Sequence, residues 1–204
     1  MKGSKGEAPP AHKVIEPAFT QNYRQRPAKR ALDLAVAVPS LIIALPVILV
    51  AAAIIRATSP GPAIYAQTRV GRNALPFRCY KLRTMYVDTP SVPTHEASAS
   101  AVTPVGRFLR RTKLDELPQL WNVLKGEMGI VGPRPCLTNQ EELIHHRRRL
   151  GVLAAAPGIT GLAQVRGIDM SQPELCAETD AEYLRRWSLR LDLELMLKTL
   201  WRGS

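Results

Sequence analysis

A run of apolar residues that contains two prolines constrains this chain more than any other feature of its sequence. Every residue from Leu34 to Ile55 is apolar except Ser40. A helix of that length extends about 33 Å, which is enough to reach across the hydrocarbon core of a bilayer. Pro39 and Pro46 lie inside the run, and each proline removes a helical hydrogen bond and favours a bend. The sequence therefore predicts a membrane segment with a break in its helix.

Basic residues flank the apolar run on both sides. The positive-inside rule places such residues in the cytoplasm, and a straight span cannot meet that requirement at both of its ends. We predict a helix-break-helix hairpin over residues 29–58 that enters one leaflet and leaves on the same side. A plain single span is the alternative, and a signal peptide fits poorly because its basic region would be about 30 residues long. The flanking residues are Arg24, Arg26, Lys29 and Arg30 before the run, and Arg56, Arg69, Arg72, Arg78, Lys81 and Arg83 after it.

The charge of the chain indicates an anionic partner. A formal net charge of +11 suits nucleic acid, an anionic membrane surface or a phosphorylated substrate. Aromatic residues make up only 5% of the chain, which is few for a protein that stacks single-stranded bases, so we expect no nucleic acid. Cys79, Cys136 and Cys176 are widely spaced and form no CxxC motif. We therefore expect three reduced thiols, without a disulfide framework or a zinc site.

The remaining pattern divides the chain into three regions and predicts an α+β fold that is mainly helical. Residues 1–28 are polar and lack periodicity, which is typical of a flexible cytoplasmic tail. The hairpin at 29–58 follows, and residues 59–204 form a small folded domain. We expect this domain to carry one short β-hairpin and amphipathic helices at the membrane interface.

Within the domain, two helices are predicted to begin at hydroxyl caps, Thr138 and Ser171. The C-terminal segment 189–197 alternates like a strand, but its leucines also share one face of a helix. We predict an amphipathic helix that lies on the membrane. The predicted elements are strands at 63–71 and 77–85 with a turn at 71–73, a loop at 88–101, helices at 103–126, 138–150, 171–187 and 189–197, and a loop followed by a short strand at 157–167.

Two adjacent carboxylates, Asp115 and Glu116, stand in the first turn of a predicted helix that Thr112 could cap. The amide groups and the dipole at a helix N-terminus favour ionised carboxylates. An ionised aspartate in a basic site can attack phosphorus and form an acyl phosphate. Ordinary helix capping explains such a pair as well, so the neighbouring motifs have to decide between the two interpretations.

Three basic residues are candidates for phosphate binding. Arg134 lies between Pro133 and Pro135, so its backbone is restricted and its guanidinium can hold a phosphate with two hydrogen bonds. A surface arginine in a turn is the alternative. Lys81 and Arg83 alternate on one predicted strand and therefore face the same side. Lys81 and Arg83 therefore predict a positively charged surface that binds a substrate or a lipid headgroup. A basic face that contacts only solvent is the alternative.

Three long motifs carry a family resemblance. TKLDELPQLWNVLKGEMGIVGPRP at 112–135, YKLRTM at 80–85 and PGITGLAQV at 157–165 together resemble the bacterial sugar transferase family, the monotopic phosphoglycosyl transferases. The resemblance extends from about Lys29 to the C-terminus. Because the chain has 204 residues, the resemblance implies a small, minimal member of the family. It also implies that a phosphosugar passes from a UDP-sugar to a polyprenyl phosphate, with release of UMP. The implied location is the cytoplasmic face of the bacterial inner membrane.

The same resemblance implies roles for individual residues. Asp115, first in the acid pair, would be the nucleophile that forms a covalent aspartyl-phosphosugar, with Glu116 as the supporting acid. The implied cofactor is Mg²⁺, held by Asp115 and by Asp180, because magnesium binds carboxylates and phosphate oxygens together. Gln164 would meet the nucleotide or its sugar. The chain departs from the family at the membrane break, where Leu45-Pro46 replaces the common Ser-Pro pair.

Two rival functions stay open at this point. A non-catalytic, membrane-anchored basic binding module predicts binding that weakens steeply with salt and needs no metal. A metal-dependent hydrolase of lipid-linked phosphates predicts water as the acceptor. The sequence identifies neither the sugar nor the pathway, and it leaves a homodimer open.

Overall fold

The computed structural model describes residues 27–87, 89 and 101–202, and its longest element is helix α1, Pro27–Thr58. With 32 residues, α1 is about 48 Å long. Its buried residues recur at intervals of four or seven and therefore form one stripe along the helix. Three alanines in the stripe allow α1 to approach the domain closely. The stripe consists of Lys29, Asp33, Ala37, Ala44, Ala51 and Ile55.

Both prolines of the apolar run lie inside α1, and the helix continues through them. Pro39 and Pro46 are exposed. The structure thus has one long helix where the sequence predicts a break, and the re-entrant topology stays a prediction. Among the described residues, α1 is the one helix that is long and apolar enough to cross a membrane.

The predicted β-hairpin is confirmed. Strand β1, Ile64–Val70, pairs antiparallel with β2, Pro76–Leu82, in a register that sets Tyr65 opposite Lys81 and Gln67 opposite Cys79. The chain reverses through a short 3-10 turn, Arg72–Ala74. All three cysteines are free and buried.

The predicted helix over 103–126 is divided into three segments. Helix α2, Pro104–Arg111, begins at Thr103, whose hydroxyl accepts a hydrogen bond from the Gly106 amide. It ends because Lys113 adopts the left-handed conformation with φ 58°. A 3-10 turn, Leu114–Glu116, and helix α3, Gln119–Lys125, follow. Thr112 does not cap the acid pair, since its hydroxyl donates back to the carbonyls of Phe108 and Leu109.

A second, two-stranded sheet was not predicted. Strand β3, Gly129–Val131, pairs parallel with β4, Gly158–Thr160. The two strands approach so closely that a Cβ at Gly158 would lie 2.1 Å from the Gly132 nitrogen. The GLAQV segment after β4 forms helix α5, Leu162–Arg166, so the predicted order of loop and then strand is wrong.

The remaining helices are α4, Glu141–Arg149, α6, Pro173–Arg186, and α7, Leu189–Arg202, and a 3-10 turn spans Val152–Ala154. The C-terminal segment is therefore a helix and not a strand. The predicted caps are wrong, because Gln140 and Gln172 occupy the two N-cap positions. The predicted tail lies outside the described residues except for Pro27 and Ala28, and the predicted loop at 88–101 lies outside them except for residues 89 and 101.

Side chains from α1, α3, β3, α6 and α7 enclose the main core, which includes Ala37, Val123, Val131, Tyr183 and Leu195. A buried group of charges joins α1 to α7 beside this core. Lys29 Nζ lies 2.8 Å from Asp33 Oδ1 and 3.0 Å from Asp192 Oδ2. Tyr183 and Trp187 donate hydrogen bonds to the Asp192 carboxylate. We call these five residues the anchor cluster.

Candidate active site

Three predicted site residues meet at one carboxylate. Glu116 Oε1 lies 2.9 Å from Lys81 Nζ and 2.7 Å from Arg134 Nη2. Lys81 comes from β2, Glu116 from the 3-10 turn before α3, and Arg134 from the loop after β3. Residues that are far apart in sequence therefore converge, and they do so at the acid pair that the sequence singles out.

These side chains line a narrow pocket together with two further polar residues. Arg69 and Gln119 complete its charged and polar lining. The full lining is Arg69, Cys79, Lys81, Glu116, Gln119, Arg134 and Pro135. Three cations and one carboxylate in so small a space favour an anionic ligand.

Asp115 lies directly before Glu116 and is 7% exposed. Burial raises the pKa of the Asp115 carboxyl above its ordinary value, and Lys81 opposes this rise. Within the described part of the chain, the structure shows no side-chain hydrogen bond to the Asp115 carboxylate. This carboxylate is therefore buried beside cations without being held by one.

Glu116 behaves in the opposite way. Burial alone would raise the pKa of its carboxyl, but Arg134 and Lys81 more than offset this, so the pKa lies well below its ordinary value. The Glu116 carboxylate in turn raises the pKa of the Arg134 guanidinium. The Glu116 carboxylate thus bridges two cations, whereas Asp115 keeps its oxygen atoms available.

Arg69 is a site residue that the sequence analysis did not identify as one. Its Nη1 donates to the Pro135 carbonyl at 2.9 Å, and its Nε and Nη2 both donate to Gln67 Oε1. The sequence contained a sign of this role, because Gln67 and Arg69 are two residues apart on β1 and therefore lie on the same face of the strand. In the hairpin, Gln67 stands opposite Cys79 of the pocket, and paired residues share one face of the sheet.

Arg83 does not share a wall with Lys81. Strand β2 ends at Leu82, and beyond it the buried Arg83 guanidinium donates to the Ser59 carbonyl at 2.9 Å and to the Pro60 carbonyl. These carbonyls lie just after the end of α1. Arg83 therefore ties the helix end to the hairpin and leaves Lys81 as the member of the predicted pair that lines the pocket.

Asp180 and Gln164 also lie away from the pocket lining. Asp180 Oδ2 accepts from Arg147 Nε at 2.9 Å and from Arg147 Nη2 at 2.6 Å. Gln164, on α5, donates to the Ile159 carbonyl at 3.1 Å. The structure thus gives Asp180 a basic partner where the resemblance implies a metal ion.

The acid pair suits a magnesium ion better than a structural metal. Among the described residues, no group of three or more His, Cys, Asp and Glu side chains is placed to hold a metal. Mg²⁺ does not need such a group, since it commonly binds one or two carboxylates, water and the phosphates of a substrate. Asp115, with Glu116 beside it, offers that donor set.

A wider groove elsewhere has the wrong charge for a phosphorylated ligand. It lies between α4 and α6 and is lined by Glu142, Glu174 and Glu178. Carboxylates repel phosphate. The cationic pocket, with the buried Asp115 beside Glu116, is therefore the candidate site for an anionic ligand.

Sequence comparisons agree with the motifs. Residues 24–203 match the family described as "Bacterial sugar transferase". A relative from Caulobacter vibrioides, named UDP-glucose:undecaprenyl-phosphate glucose-1-phosphate transferase, is 41% identical over 84% of this chain and 68% of its own length. A relative of the same name from Escherichia coli K12 is 37% identical over 86% of this chain and 40% of its own length. The undecaprenyl-phosphate galactose phosphotransferase of Salmonella typhimurium is 35% identical over 93% of this chain and 44% of its own length.

Proposed function

Because this chain belongs to the bacterial sugar transferase family, we propose that it transfers a phosphosugar from a UDP-sugar to undecaprenyl phosphate. The products are a polyprenyl-diphosphate sugar and UMP. The observation that carries this proposal is the binding of Lys81 and Arg134 to one oxygen of Glu116, directly beside the buried Asp115. Relatives named for glucose and for galactose support the donor class without selecting the sugar.

The reaction proceeds in two displacements at the phosphorus that bears the sugar. First, an Asp115 oxygen forms a bond to this phosphorus while the bond to the oxygen of UMP breaks, and UMP leaves with the electron pair. Then an oxygen of undecaprenyl phosphate attacks the same phosphorus, and the Asp115 carboxylate is released. The phosphosugar is held on the enzyme between the two steps.

The surroundings of the two carboxylates support Asp115 as the nucleophile. Glu116 is occupied by Lys81 and Arg134, and its lowered pKa makes it the weaker base. Burial raises the pKa of Asp115, and a more basic carboxylate is the better nucleophile once it is ionised.

The pocket cations act on the charge that develops in the reaction. Arg69, Lys81 and Arg134 line the pocket, and we assign them to the diphosphate of the donor, since a partly buried site strengthens their attraction for an anion. When Mg²⁺ is bound, it supplies further neutralisation of the phosphate oxygens. We assign the Asp115 carboxylate as the ligand that would hold the magnesium ion, with Glu116 as its neighbour in the sequence.

The packing of α1 supports a monotopic arrangement. Near its start, Arg30 donates to the Val123 and Leu124 carbonyls at 2.6 and 2.8 Å. Near its end, Ala51 and Ile55 pack with Leu82 and Leu109. A straight crossing of the bilayer would pull the attached domain, with its charges, into lipid. We therefore propose that both ends of α1 lie at the cytoplasmic face of the inner membrane.

Exposed apolar side chains mark the surface that would contact lipid. On α1 they include Ile42, Ile43 and Leu49, which are 68%, 76% and 61% exposed. On α7 they include Leu200 and Trp201, which are 74% and 87% exposed. We propose that α7 lies in the interface with this apolar face in the bilayer, where a tryptophan is favoured.

The activity test uses the full chain in nanodiscs that contain undecaprenyl phosphate, with Mg²⁺ and a set of UDP-sugars. UMP release is expected with one or more donors, and lipid-linked product requires the acceptor. A non-catalytic binding module gives no UMP with any donor. A hydrolase releases the sugar phosphate to water at the same rate whether or not the acceptor is present.

The topology test uses single cysteines at the two ends of α1. Ala28 and Ala57 are exposed, and the native cysteines are buried and react slowly, so Ala28→Cys and Ala57→Cys report their own positions. In intact cells, a reagent that does not cross the inner membrane is expected to label neither variant. In inverted vesicles it is expected to label both. Labelling from opposite sides would show a single span.

A further inference from the structure

The loop that presents Arg134 is fixed by its backbone. We call residues 132–135 the Arg134 loop. Three consecutive carbonyls of this loop accept hydrogen bonds from donors outside it. Gly158 N donates to Pro133 O at 2.9 Å, Arg147 Nη1 to Arg134 O at 2.8 Å, and Arg69 Nη1 to Pro135 O at 2.9 Å. The peptide of Arg134 thus cannot shift without breaking at least one of these bonds.

Arg147 supplies the middle bond from a buried position on α4. Its side chain is 3% exposed, and that of its partner Asp180, on α6, is 2% exposed. Arg147 uses Nε and Nη2 for the Asp180 carboxylate and leaves Nη1 for the Arg134 carbonyl. The planar guanidinium fixes these directions relative to each other. The orientation of Arg147 therefore depends on Asp180, and the placement of Arg134 depends on Arg147.

Stability alone is a weak reason for such a pair. Two charges lose their hydration when they are buried, and apolar residues of similar size often serve a core equally well. Burial lowers the pKa of Arg147, but Asp180 more than reverses this, so the guanidinium keeps its charge. Burial raises the pKa of the Asp180 carboxyl, and Arg147 opposes that rise. What apolar residues could not supply is a donor aimed at the Arg134 carbonyl.

We propose that Asp180 and Arg147 are positioning residues, which hold the Arg134 loop so that the Arg134 guanidinium meets the diphosphate of the donor. This inference rests on the proposed function, and it replaces the metal-binding role that the resemblance implies for Asp180. Neither residue touches the substrate. Both act through the main chain of Arg134.

The test is a double-mutant cycle on UMP release. Arg147→Lys keeps a positive charge beside Asp180 but lacks the planar guanidinium that donates to both the Asp180 carboxylate and the Arg134 carbonyl. In the wild-type background it is expected to lower kcat/KM for the UDP-sugar roughly 10- to 100-fold, as loss of a supporting contact often does. In an Arg134→Lys background, the guanidinium that Arg147 positions is already absent, so Arg147→Lys is expected to lower kcat/KM by less than about threefold. Equal losses in both backgrounds would overturn the proposal.

Leu143→Ala is the matched control. Leu143 lies one turn before Arg147 on the same face of α4, is 1% exposed and has no hydrogen-bonding side chain for the Arg134 loop. Its truncation is expected to lower the melting temperature by roughly 5–15 °C while kcat/KM at 20 °C stays within about twofold of wild type. If this control lost as much activity as Arg147→Lys, loosened packing would explain both results.

Further outcomes separate the two hypotheses. If the wild-type protein releases no UMP from any donor, the proposed function fails. If it releases UMP and Arg147→Lys does so equally fast, only the positioning role fails. Should Arg147→Lys not fold, Asp180→Asn takes its place, since its amide oxygen still accepts from Arg147. It is expected to cost at least about fivefold in the wild-type background and less than about twofold in the Arg134→Lys background.

Discussion

The candidate active-site pocket and the anchor cluster are both buried groups of charges, and they differ in how completely their carboxylates are hydrogen-bonded. The anchor cluster sets one ammonium, Lys29, between Asp33 and Asp192. The pocket sets Arg69, Lys81 and Arg134 around Glu116, with Asp115 beside it. The same kinds of residue therefore build both groups.

In the anchor cluster, donors from several elements close the set. The Ile130 amide donates to Asp33 Oδ1 at 2.9 Å, and the Tyr183 hydroxyl donates to Asp192 Oδ1 at 2.7 Å. In the pocket, Glu116 is held in this way but Asp115 is not. A buried group whose carboxylates are fully hydrogen-bonded holds secondary-structure elements together. A group with an unbonded carboxylate can still interact with a ligand. This contrast predicts that substitutions in the pocket chiefly change turnover and those in the anchor cluster chiefly change stability.

The largest effect is expected from Asp115→Asn. Loss of the nucleophile should reduce UMP release by at least about 10⁴-fold, as loss of a nucleophile does in other enzymes with covalent intermediates. Stability should not fall. The folded pKa of Asp115 is raised by burial, so its ionised form opposes folding above the ordinary value of 3.8, and a neutral amide relieves this. The melting temperature is expected to stay equal or rise.

Mass spectrometry of the protein after reaction with donor completes this test. The wild-type protein should gain the mass of a phosphosugar, and the variant should not. UMP release within tenfold of wild type by Asp115→Asn would remove Asp115 as the nucleophile and with it the contrast between the two regions.

The next effect in size is expected from Lys29→Met, and it concerns stability. Removal of the ammonium leaves two buried carboxylates without their counterion, which costs roughly 3–5 kcal/mol. Lys198→Met is the matched control, because Lys198 pairs with Glu194 on an exposed face of α7, and such exposed pairs contribute little to stability. Denaturant unfolding in detergent measures both variants. Equal losses would show that the anchor cluster is not a closed structural set.

Glu116→Gln is expected to change both properties moderately. Lys81 and Arg134 lose their shared partner, and both already act electrostatically on the Asp115 carboxyl, which they would then engage. UMP release should fall roughly 10- to 100-fold. The folded pKa of Glu116 is lowered, so its pairing contributes stability above the ordinary pKa of 4.5 that disappears as the pH falls through the folded value.

Unfolding free energies measured across the acidic range check this second part. The wild-type protein should lose stability on acidification more steeply than Glu116→Gln does. Parallel curves for the two proteins would mean that Glu116 is not held by the two cations in solution.

Local sequence signals were sufficient where the chain itself sets the geometry. The hairpin follows from two alternating segments around a turn, and α3 ends at Gly126, which adopts φ 79°. The acid pair, Lys81 and Arg134 were chosen by chemistry and motif, and the structure brings them together. Neighbouring residues specify the hairpin and the end of α3, whereas the meeting of Lys81, Glu116 and Arg134 depends on the fold.

Predictions that depended on distant partners were less successful. Lysine rarely adopts the left-handed conformation, so nothing local indicated that Lys113 would divide the helix. Arg83 alternates with Lys81, but the strand ends before it and the carbonyls after α1 take its guanidinium. The resemblance implies a metal ligand at Asp180, and only the fold shows that Arg147, 33 residues away, packs against it. Such pairings arise from tertiary packing, which a single sequence does not display.

The smallest effect is expected from Arg110→Gln, and it tests the electrostatics of Asp115 alone. Arg110 lies on α2, bonds Thr84 through Nε at 2.9 Å and lowers the pKa of Asp115 without lining the pocket. Removal of its charge should raise the Asp115 pKa further and move the acid limb of the kcat/KM profile to higher pH. The move should be less than about one pH unit, because charges near the surface are screened, and the rate on the plateau should stay unchanged. Arg107→Gln, on the exposed side of the same helix, is the control and should leave the limb in place. An acid limb that does not move with Arg110→Gln, or that moves equally with Arg107→Gln, would mean that the titration belongs to a group other than Asp115.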